Sequence, residues 1–448
     1  MYEEVLFMSA AYTLILFAFV IVLMVVMISK WKVHAAFGIL IAALILAIGL
    51  GTPWNKIEDI INSGFAGTIK SVGIVIMLGC TMGTVLEKTG AAVKITQTAI
   101  KIFGEKYIVW AIALSAFILG IPIWADTCVI LLIPIVSMIA LKTKRSMMSL
   151  GTTLYMGSLI TASLVPPTPG PVSAAALLHV PLGNAILWGL ITAVPSTIAA
   201  TLYCLTLKEP VLPKDEYVQS EKEDQHQQLP SLFNSMMPII FPLILIVANT
   251  VAASMIPKTP VANFLAFIGS PLAALLTGCL LTLPLTGDKW KSKLVLNDWV
   301  DLSLKDAAMP IIVTGMGGVL AIFIKNAKVA EEIAKGVVGM GFPGILIPII
   351  IAALIHVITG SNALGVMTAA ALVEPLLGAI GVSPTAAFLA CGTGALMFKH
   401  ANSSGFWVTV TMSNMDVRQG IRAVGGGSTV AGFTGAIVTI ILHSMGII

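Results

Sequence analysis

Uncharged apolar stretches run along most of the chain and are separated by short polar segments. About a dozen of these stretches contain 16 or more residues without a charge. Roughly 20 helical residues cross the ~30 Å hydrocarbon core of a bilayer, so each stretch is close to the length of one span. The stretches are continuously apolar and do not alternate as the strands of an outer-membrane barrel do. The pattern predicts an all-α polytopic membrane protein with about 10–14 membrane segments.

The composition supports the same class. Of the 448 residues, 57% are apolar and 10% are charged, whereas a soluble domain has roughly 25% charged residues. These values exclude a soluble enzyme, a nucleic-acid-binding protein and a disordered scaffold. The net charge of +4 comes from basic residues in short loops, so the expected partner is the lipid bilayer and no nucleic acid. We expect a multi-pass protein of the cell inner (cytoplasmic) membrane.

Polar segments divide the chain into five regions. The predicted regions are N-terminal transmembrane helices (1–53), a first repeat (54–207), a polar inter-repeat loop (208–230), linking transmembrane helices (231–300), and a second repeat with the C-terminal helix (301–448). The inter-repeat loop is the clearest boundary, since it holds six acidic residues and three lysines. Within the first repeat, the mixed charges of 54–70 predict a segment at the membrane interface, followed by a short helix near 71–86.

The apolar run Tyr107–Leu141 is too long for one straight span. Its 35 residues would form a helix of ~52 Å at ~1.5 Å per residue. Gly120 and Pro122 predict a break in the middle, and Asp126 follows that break. A carboxylate at mid-membrane depth costs at least ~2.5–3.5 kcal/mol, so Asp126 should face a cavity or a partner. The alternative is a structural acid that caps the second helix.

Three more irregular segments interrupt the apolar runs further along the chain. Leu164–Pro171 is rich in proline and uncharged, Thr359–Asn362 interrupts an apolar run in the second half, and Lys399–Trp407 follows it. Irregular backbone at membrane depth is stable only where protein buries it or where it lines a wet cavity, although Leu164–Pro171 is also compatible with an ordinary turn. Interrupted segments at matching places in two halves indicate a transporter site at the repeat interface. We therefore expect two inverted structural repeats with broken helices and re-entrant hairpins.

Few ionisable residues lie inside the apolar runs. For coupling to an ion, the candidates are Asp126, His356 and Glu374, because a carboxylate or an imidazole can alternate between protonation states as access changes. Glu374 is also compatible with a helix end near the interface. His356 is also compatible with a structural role, as is common for a lone histidine on an apolar face.

Substrate recognition is expected at the irregular segments. The chain has only three arginines, all near helix ends or loops, so helix N-termini, backbone N–H groups and short polar side chains are expected to hold an anion. The candidates are Thr127, Thr168, Gly170, Ser361, Asn362, His400, Asn402, Ser403, Ser404 and Gly405. Lys399 would add positive potential, unless its side chain extends to the interface.

Three segments resemble the gluconate permease (gluconate:proton symporter) family. Gly120–Pro134 is similar to its Gly-Ile-Pro…Asp…Leu-Leu-Pro stretch, Leu164–Pro171 to its Leu-Val-Pro-Pro-x-Pro-Gly-Pro signature, and His400–Trp407 to its His-Val-Asn-Asp-Ser-Gly-Phe-Trp signature. The resemblance implies uptake of sugar acids or related hydroxy acids with a proton. It also implies kinship with the ion-transporter superfamily, whose members have inverted repeats with re-entrant hairpins and are usually dimers, so a homodimer is expected.

The chain departs from the family pattern at two positions. Ser403 stands where the family has an acid, and Lys399 stands where a small residue is expected. Both differences make the local field more positive.

The sequence therefore predicts a secondary active symporter that imports a small hydroxylated organic anion with protons, by alternating access about a site at the membrane midplane. The alternative is a sodium-coupled carboxylate carrier or a D-serine-type amino-acid carrier of the same superfamily. An intramembrane enzyme is disfavoured, because no HExxH or GxSxG segment is present. A channel is disfavoured because no segment resembles a repeated selectivity filter. No cofactor and no metal site are expected.

Overall fold

A computed structural model describes residues 10–216, 229–257, 259–326, 343–401 and 403–448, and all regular elements in these ranges are helical. The helices are α1 (Ala10–Ser29), α2 (Ala35–Gly49), α3 (Trp54–Lys88), α4 (Ala91–Phe103), α5 (Ile108–Leu119), α6 (Ala125–Thr143), α7 (Met147–Leu164), α8 (Pro169–Leu177), α9 (Leu182–Thr206), α10 (Leu232–Met255), α11 (Pro260–Ile268), α12 (Pro271–Thr282), α13 (Trp299–Asn326), α14 (Leu346–Thr359), α15 (Asn362–Val373), α16 (Leu377–Ile380), α17 (Pro384–Gly394), α18 (Ser404–Met412), α19 (Val417–Gly420) and α20 (Gly426–Ser444). Short 3₁₀ segments cover Glu105–Tyr107, Leu283–Lys291 and Glu374–Leu376, and π-helical turns cover Leu294–Asp298 and Ile421–Gly425.

Many of these helices are suited to cross a membrane. In the described ranges, nine helices are long and apolar enough to cross a membrane. The number is up to ten if Ala91–Phe103 and Glu105–Leu119, which are bent by 113° relative to each other, form one span. Shorter apolar helices such as Ala35–Gly49 and Leu346–Thr359 accompany them. The prediction of an all-α polytopic membrane protein is confirmed, with a number of full spans at the low end of the predicted range.

One element of the first repeat differs from its prediction. Residues 54–88 form a single 35-residue helix, so the predicted short helix near 71–86 is wrong, because it continues back to Trp54. The polar residues of 54–70 lie on the outer face, while the buried Ile57 and Gly64 recur on the inner face at helical spacing. That inner face packs against α13, where Gly64 lies against Val319. The mixed charges therefore mark an amphipathic helix.

Helix breaks occur at all four predicted places. The non-helical segments lie between α5 and α6, between α7 and α8, between α14 and α15, and between α17 and α18. Gly360 ends α14 in the left-handed conformation, with φ of 73°, which glycine adopts without a steric penalty. The expectation that Lys399–Trp407 and Leu164–Pro171 are irregular throughout is wrong at their C-terminal ends. Ser404–Trp407 belong to α18, and Pro169–Pro171 form the first turn of α8. Proline is tolerated there, since the first N–H groups of a helix have no intrahelical acceptor.

The two halves pack in the same way. In the first half α5 packs against α7 and α7 against α9, while in the second half α14 packs against α17 and α17 against α20. The halves meet through their broken helices, because α6 contacts α18 and α8 contacts α15. The interrupted span formed by α7 and α8 is the most enclosed of the described candidate spans, with 94% of its most apolar stretch buried. The exact repeat boundaries remain predictions, and residues 217–228 of the inter-repeat loop lie outside the described ranges.

Candidate substrate and ion site

Four helices, α6, α8, α15 and α18, begin at the breaks, and their starts meet in two pairs. The start of α18 touches the start of α6, where the Ser404 hydroxyl donates to Oδ2 of Asp126 at 2.8 Å. The start of α8 lies against the start of α15, where a Cβ on Gly170 would come within 3.3 Å of the Ala363 Cα. Helix N-termini carry partial positive charge and unpaired N–H groups. Their convergence between the two halves creates an environment that favours an anion.

Asp126 bridges the halves instead of capping its own helix. Trp124 occupies the N-cap of α6, and Asp126 lies in the first turn with its side chain bonded to Ser404. Gly405 permits this approach, because a Cβ there would overlap the Asp126 carboxylate and the Tyr155 hydroxyl. The structure therefore favours the prediction that Asp126 faces a partner over the alternative of a capping acid.

Lys399 lies between the two pairs of helix starts. Its side chain is buried, with 3% of the residue exposed, so it does not extend to the interface. The ammonium group donates to Oδ1 of Asn362 at the start of α15 and lies 5.7 Å from the ring centroid of Tyr155. It is also close enough to Asp126 to interact with it electrostatically. Asn362 is itself held by donation from Nδ2 to the Ala395 carbonyl at 2.7 Å.

Two histidines fasten α14 to the segment that precedes α18. The buried His356 donates from Nδ1 to the Met397 carbonyl at 2.8 Å, and His400 donates from Nε2 to the Val357 carbonyl at 3.0 Å. In the described part of the chain, Nε2 of His356 has no hydrogen-bond partner. These bonds hold the second irregular segment beside the break of the same repeat.

Two predicted substrate residues use their hydroxyl groups to shape the breaks. Thr168 donates to the carbonyls of Ala162 at 3.0 Å and Val165 at 2.9 Å, and it is buried. Ser361 is the N-cap of α15 and accepts from the Leu364 N–H at 3.3 Å. Both side chains hold a half-helix start in place.

Two of the remaining predicted substrate residues lie at the starts of α6 and α18. Thr127 comes after Asp126 in α6 and is partly exposed, and the buried Ser403 is the N-cap residue of α18. Asn402 lies outside the described residues.

Glu374 lies apart from these residues. It follows the last residue of α15, 12 residues after Asn362, which corresponds to ~18 Å along a helix. Its carboxylate lies 3.6 Å from Nε2 of His179, in the connection between α8 and α9. The structure therefore brings Asp126 and His356 near the helix starts and places Glu374 at the far end of α15.

Tyr155 belongs to the site and was absent from the predicted residues. It is 1% exposed, and its hydroxyl lies near Ser403. In the described ranges that hydroxyl forms no hydrogen bond of acceptable geometry. A tyrosine within an uncharged run of serine, threonine and glycine is a signal in the sequence, because a buried phenol normally needs a polar partner.

The comparisons with known proteins agree with this architecture. A family model described as GntP family permease matches residues 12–446. The chain belongs to the GntP permease family. An uncharacterized permease of Haemophilus influenzae is 32% identical over 96% of this chain and 91% of its own length. A gluconate permease of Pseudomonas aeruginosa is 31% identical over 96% of this chain and 98% of its own length. The high-affinity gluconate transporter of Escherichia coli is 28% identical over 92% of this chain and 94% of its own length.

A solved structure shares the fold. The YdaH transporter of Alcanivorax borkumensis, described as having an unusual topology, superposes with a TM-score of 0.68 over 97% of this chain and 99% of its own. Its sequence identity is 13%, so this likeness concerns the fold alone.

Family membership confirms the resemblance that the three sequence segments indicated. The relatives carry the names of permeases and transporters, so this GntP-family chain is a membrane transporter and not an enzyme. It is a multi-pass protein of the inner membrane.

Proposed function

We propose that this permease is a secondary active symporter that imports a small hydroxylated organic anion, gluconate or a related sugar acid or hydroxy acid, together with a proton. The observation that carries the proposal is the meeting of the α6 and α18 starts at Asp126 and Ser404, with Lys399 beside them. This arrangement combines a site for an anion with a carboxylate that can take up a proton.

The recognition of a hydroxylated anion follows from the groups at the breaks. Helix N-termini stabilise a carboxylate, and hydroxyl and amide groups exchange hydrogen bonds with a polyol. Ser403 and Ser404 supply such groups at the start of α18, and Asn362 supplies one beside the ammonium of Lys399. Relatives named gluconate permease favour a substrate of the gluconate type.

Proton coupling is assigned to Asp126. Its carboxylate connects the two halves of the molecule, so any separation of α6 from α18 changes its surroundings. His356 is engaged through Nδ1 within its own repeat, and Glu374 is paired with His179. Glu374 also faces the other repeat through His179, but it lies ~18 Å along α15 from Asn362. Asp126 is the described acid that joins the repeats at the helix starts themselves.

Alternating access is the transport mode that this arrangement favours. The contacts of α6 with α18 and of α8 with α15 join the repeats at the site itself. A relative movement of the repeats would open these contacts to one side of the membrane and then to the other. We expect the protein to work as a homodimer.

Counterflow uptake in proteoliposomes tests the proposed function. Proteoliposomes that contain the full-length chain are loaded with D-gluconate, D-glycerate or D-serine, and entry of the labelled compound is measured. We expect counterflow with D-gluconate and accumulation driven by an inward proton gradient. Accumulation with a sodium gradient alone would indicate the sodium-coupled alternative, and preference for D-serine would indicate an amino-acid carrier. No counterflow with any of the three compounds would contradict the proposed function.

Glu374→Gln is expected to leave proton-driven accumulation of D-gluconate within about twofold of wild type. The reason is its position ~18 Å along α15 from Asn362, beside His179. Accumulation ratios under an imposed pH gradient measure the effect, and counterflow reports whether the variant is intact. Loss of accumulation with normal counterflow would instead place proton coupling at Glu374.

A further inference from the structure

Lys399 is the only buried lysine or arginine in the described ranges, and it lies at the junction of the two repeats. We propose that its ammonium group binds the carboxylate of the transported anion. When no substrate is bound, Asn362 accepts a hydrogen bond from this ammonium, and Asp126 is the counter-charge in its neighbourhood. This inference rests on the proposed function and specifies which residue recognises the charge of the substrate.

The surroundings of Lys399 suit such an exchange of partners. An ammonium group has three N–H donors, and one of them is directed to Oδ1 of Asn362. Asn362 is anchored independently by the Ala395 carbonyl, so it stays in place when the ammonium turns away. The aromatic face of Tyr155 lies 5.7 Å from the ammonium and favours a cation there. Among the residues that the structure describes, no second acceptor receives a hydrogen bond from this ammonium, so its remaining donors are available for a carboxylate oxygen.

The fold holds a positive charge where the backbone alone would disfavour one. The starts of α6, α8, α15 and α18 direct positive dipole ends toward this region, and a buried ammonium adds to that potential. In the described surroundings, Asp126 is the acid that acts electrostatically on Lys399. A buried charge is stabilised by an opposite charge nearby. When Asp126 is neutral, the carboxylate of the substrate is therefore favoured beside Lys399.

Counting charges links Lys399 to proton coupling. Without substrate, Lys399 (+1) and Asp126 (−1) sum to zero. A bound monovalent carboxylate would leave a net charge of −1 in the membrane interior, which is costly. Transfer of one proton from water to the Asp126 carboxylate restores zero, and no covalent bond of the substrate changes. The pair therefore predicts one proton per monovalent anion.

The test compares binding of a charged ligand with that of its neutral analogue. Equilibrium binding of D-gluconate and D-gluconamide is measured for the full-length protein in detergent, for wild type, Lys399→Gln and Lys399→Arg. We expect wild type to prefer gluconate, and Lys399→Gln to raise the Kd for gluconate at least about 30-fold, ~2 kcal/mol at ~1.4 kcal/mol per tenfold. The Kd for gluconamide should change little, and Lys399→Arg should restore part of the preference. Lys142→Gln, at an exposed lysine paired with Glu105, is the matched control and should bind as wild type does.

A second variant keeps the test decisive if Lys399→Gln fails to fold because Asp126 loses its counter-charge. The double variant Asp126→Asn/Lys399→Gln removes both charges, so the pair of side chains is again neutral. We expect it to fold and to bind gluconate no better than gluconamide. An unchanged preference for gluconate in a folded Lys399→Gln or double variant would overturn the role of Lys399. A measured ratio of two protons per gluconate in wild type would overturn the charge count. Absence of counterflow by wild type would instead reject the proposed function, so the two failures are distinguishable.

Discussion

Asp126→Asn is expected to abolish accumulation of D-gluconate against its gradient while preserving counterflow exchange. Asparagine imitates the neutral form of the carboxylate and keeps an oxygen that accepts from the Ser404 hydroxyl. The charge of a bound anion is then balanced by Lys399, so the loaded site can still form. Because the asparagine amide cannot gain or lose a proton, a proton gradient no longer drives uptake, and the accumulation ratio should fall to about 1.

The loss of accumulation is measured under an imposed pH gradient, and the retained exchange is measured as counterflow in the same proteoliposomes. Asp288→Asn is the matched control, since Asp288 is an exposed acid in the 3₁₀ segment after α12. It should accumulate D-gluconate as wild type does. Normal proton-driven accumulation by Asp126→Asn would remove Asp126 from the coupling role.

Gly405→Ala is expected to reduce D-gluconate transport at least tenfold. The added methyl group would overlap the Tyr155 hydroxyl and the Asp126 carboxylate, so α18 cannot keep its close approach to α6 and α7. Overpacking of this kind typically costs ~1–3 kcal/mol. Alanine is a better helix former than glycine by ~1 kcal/mol, so a loss of transport could not be attributed to a weaker helix.

Initial rates of counterflow for Gly405→Ala and for the control Gly67→Ala measure the effect. Gly67 lies in α3, and a Cβ there meets no atom within 4 Å, so this variant should transport normally. Tyr155→Phe removes the nearest overlapping atom, and combining it with Gly405→Ala should restore part of the rate. A Gly405→Ala variant with the wild-type rate would show that the close approach at α18 is not needed for transport.

The helix breaks were predictable because their causes are local. Proline lacks a backbone donor, and Gly360 adopts a left-handed conformation that other residues avoid. The wrong prediction of a short helix near 71–86 also has a local explanation. The charges of 54–70 are typical of an interface segment, but the apolar residues among them recur at helical spacing. The buried Ile57 and Gly64 show that spacing in the structure.

The site was only partly predictable. Asp126 and Ser404 were both candidates, but their hydrogen bond joins residues 278 positions apart. Glu374 was also a candidate, but its approach to within 3.6 Å of His179 joins residues from the two repeats and could not be predicted. Tyr155 became a site residue only through the approach of Gly405 from the other repeat.

Three properties of this chain are evident from its residues alone: residence in a membrane, helix breaks at four places, and resemblance to one transporter family. These properties follow from the solvation of apolar segments and from backbone chemistry, which act over a few residues. The packing of the folded chain sets which breaks face each other, and it buries Lys399 beside Asn362 within electrostatic reach of Asp126. Such pairings depend on the packing of distant helices, and a lysine near an apolar segment has no local preference between a buried counter-charge and the membrane surface.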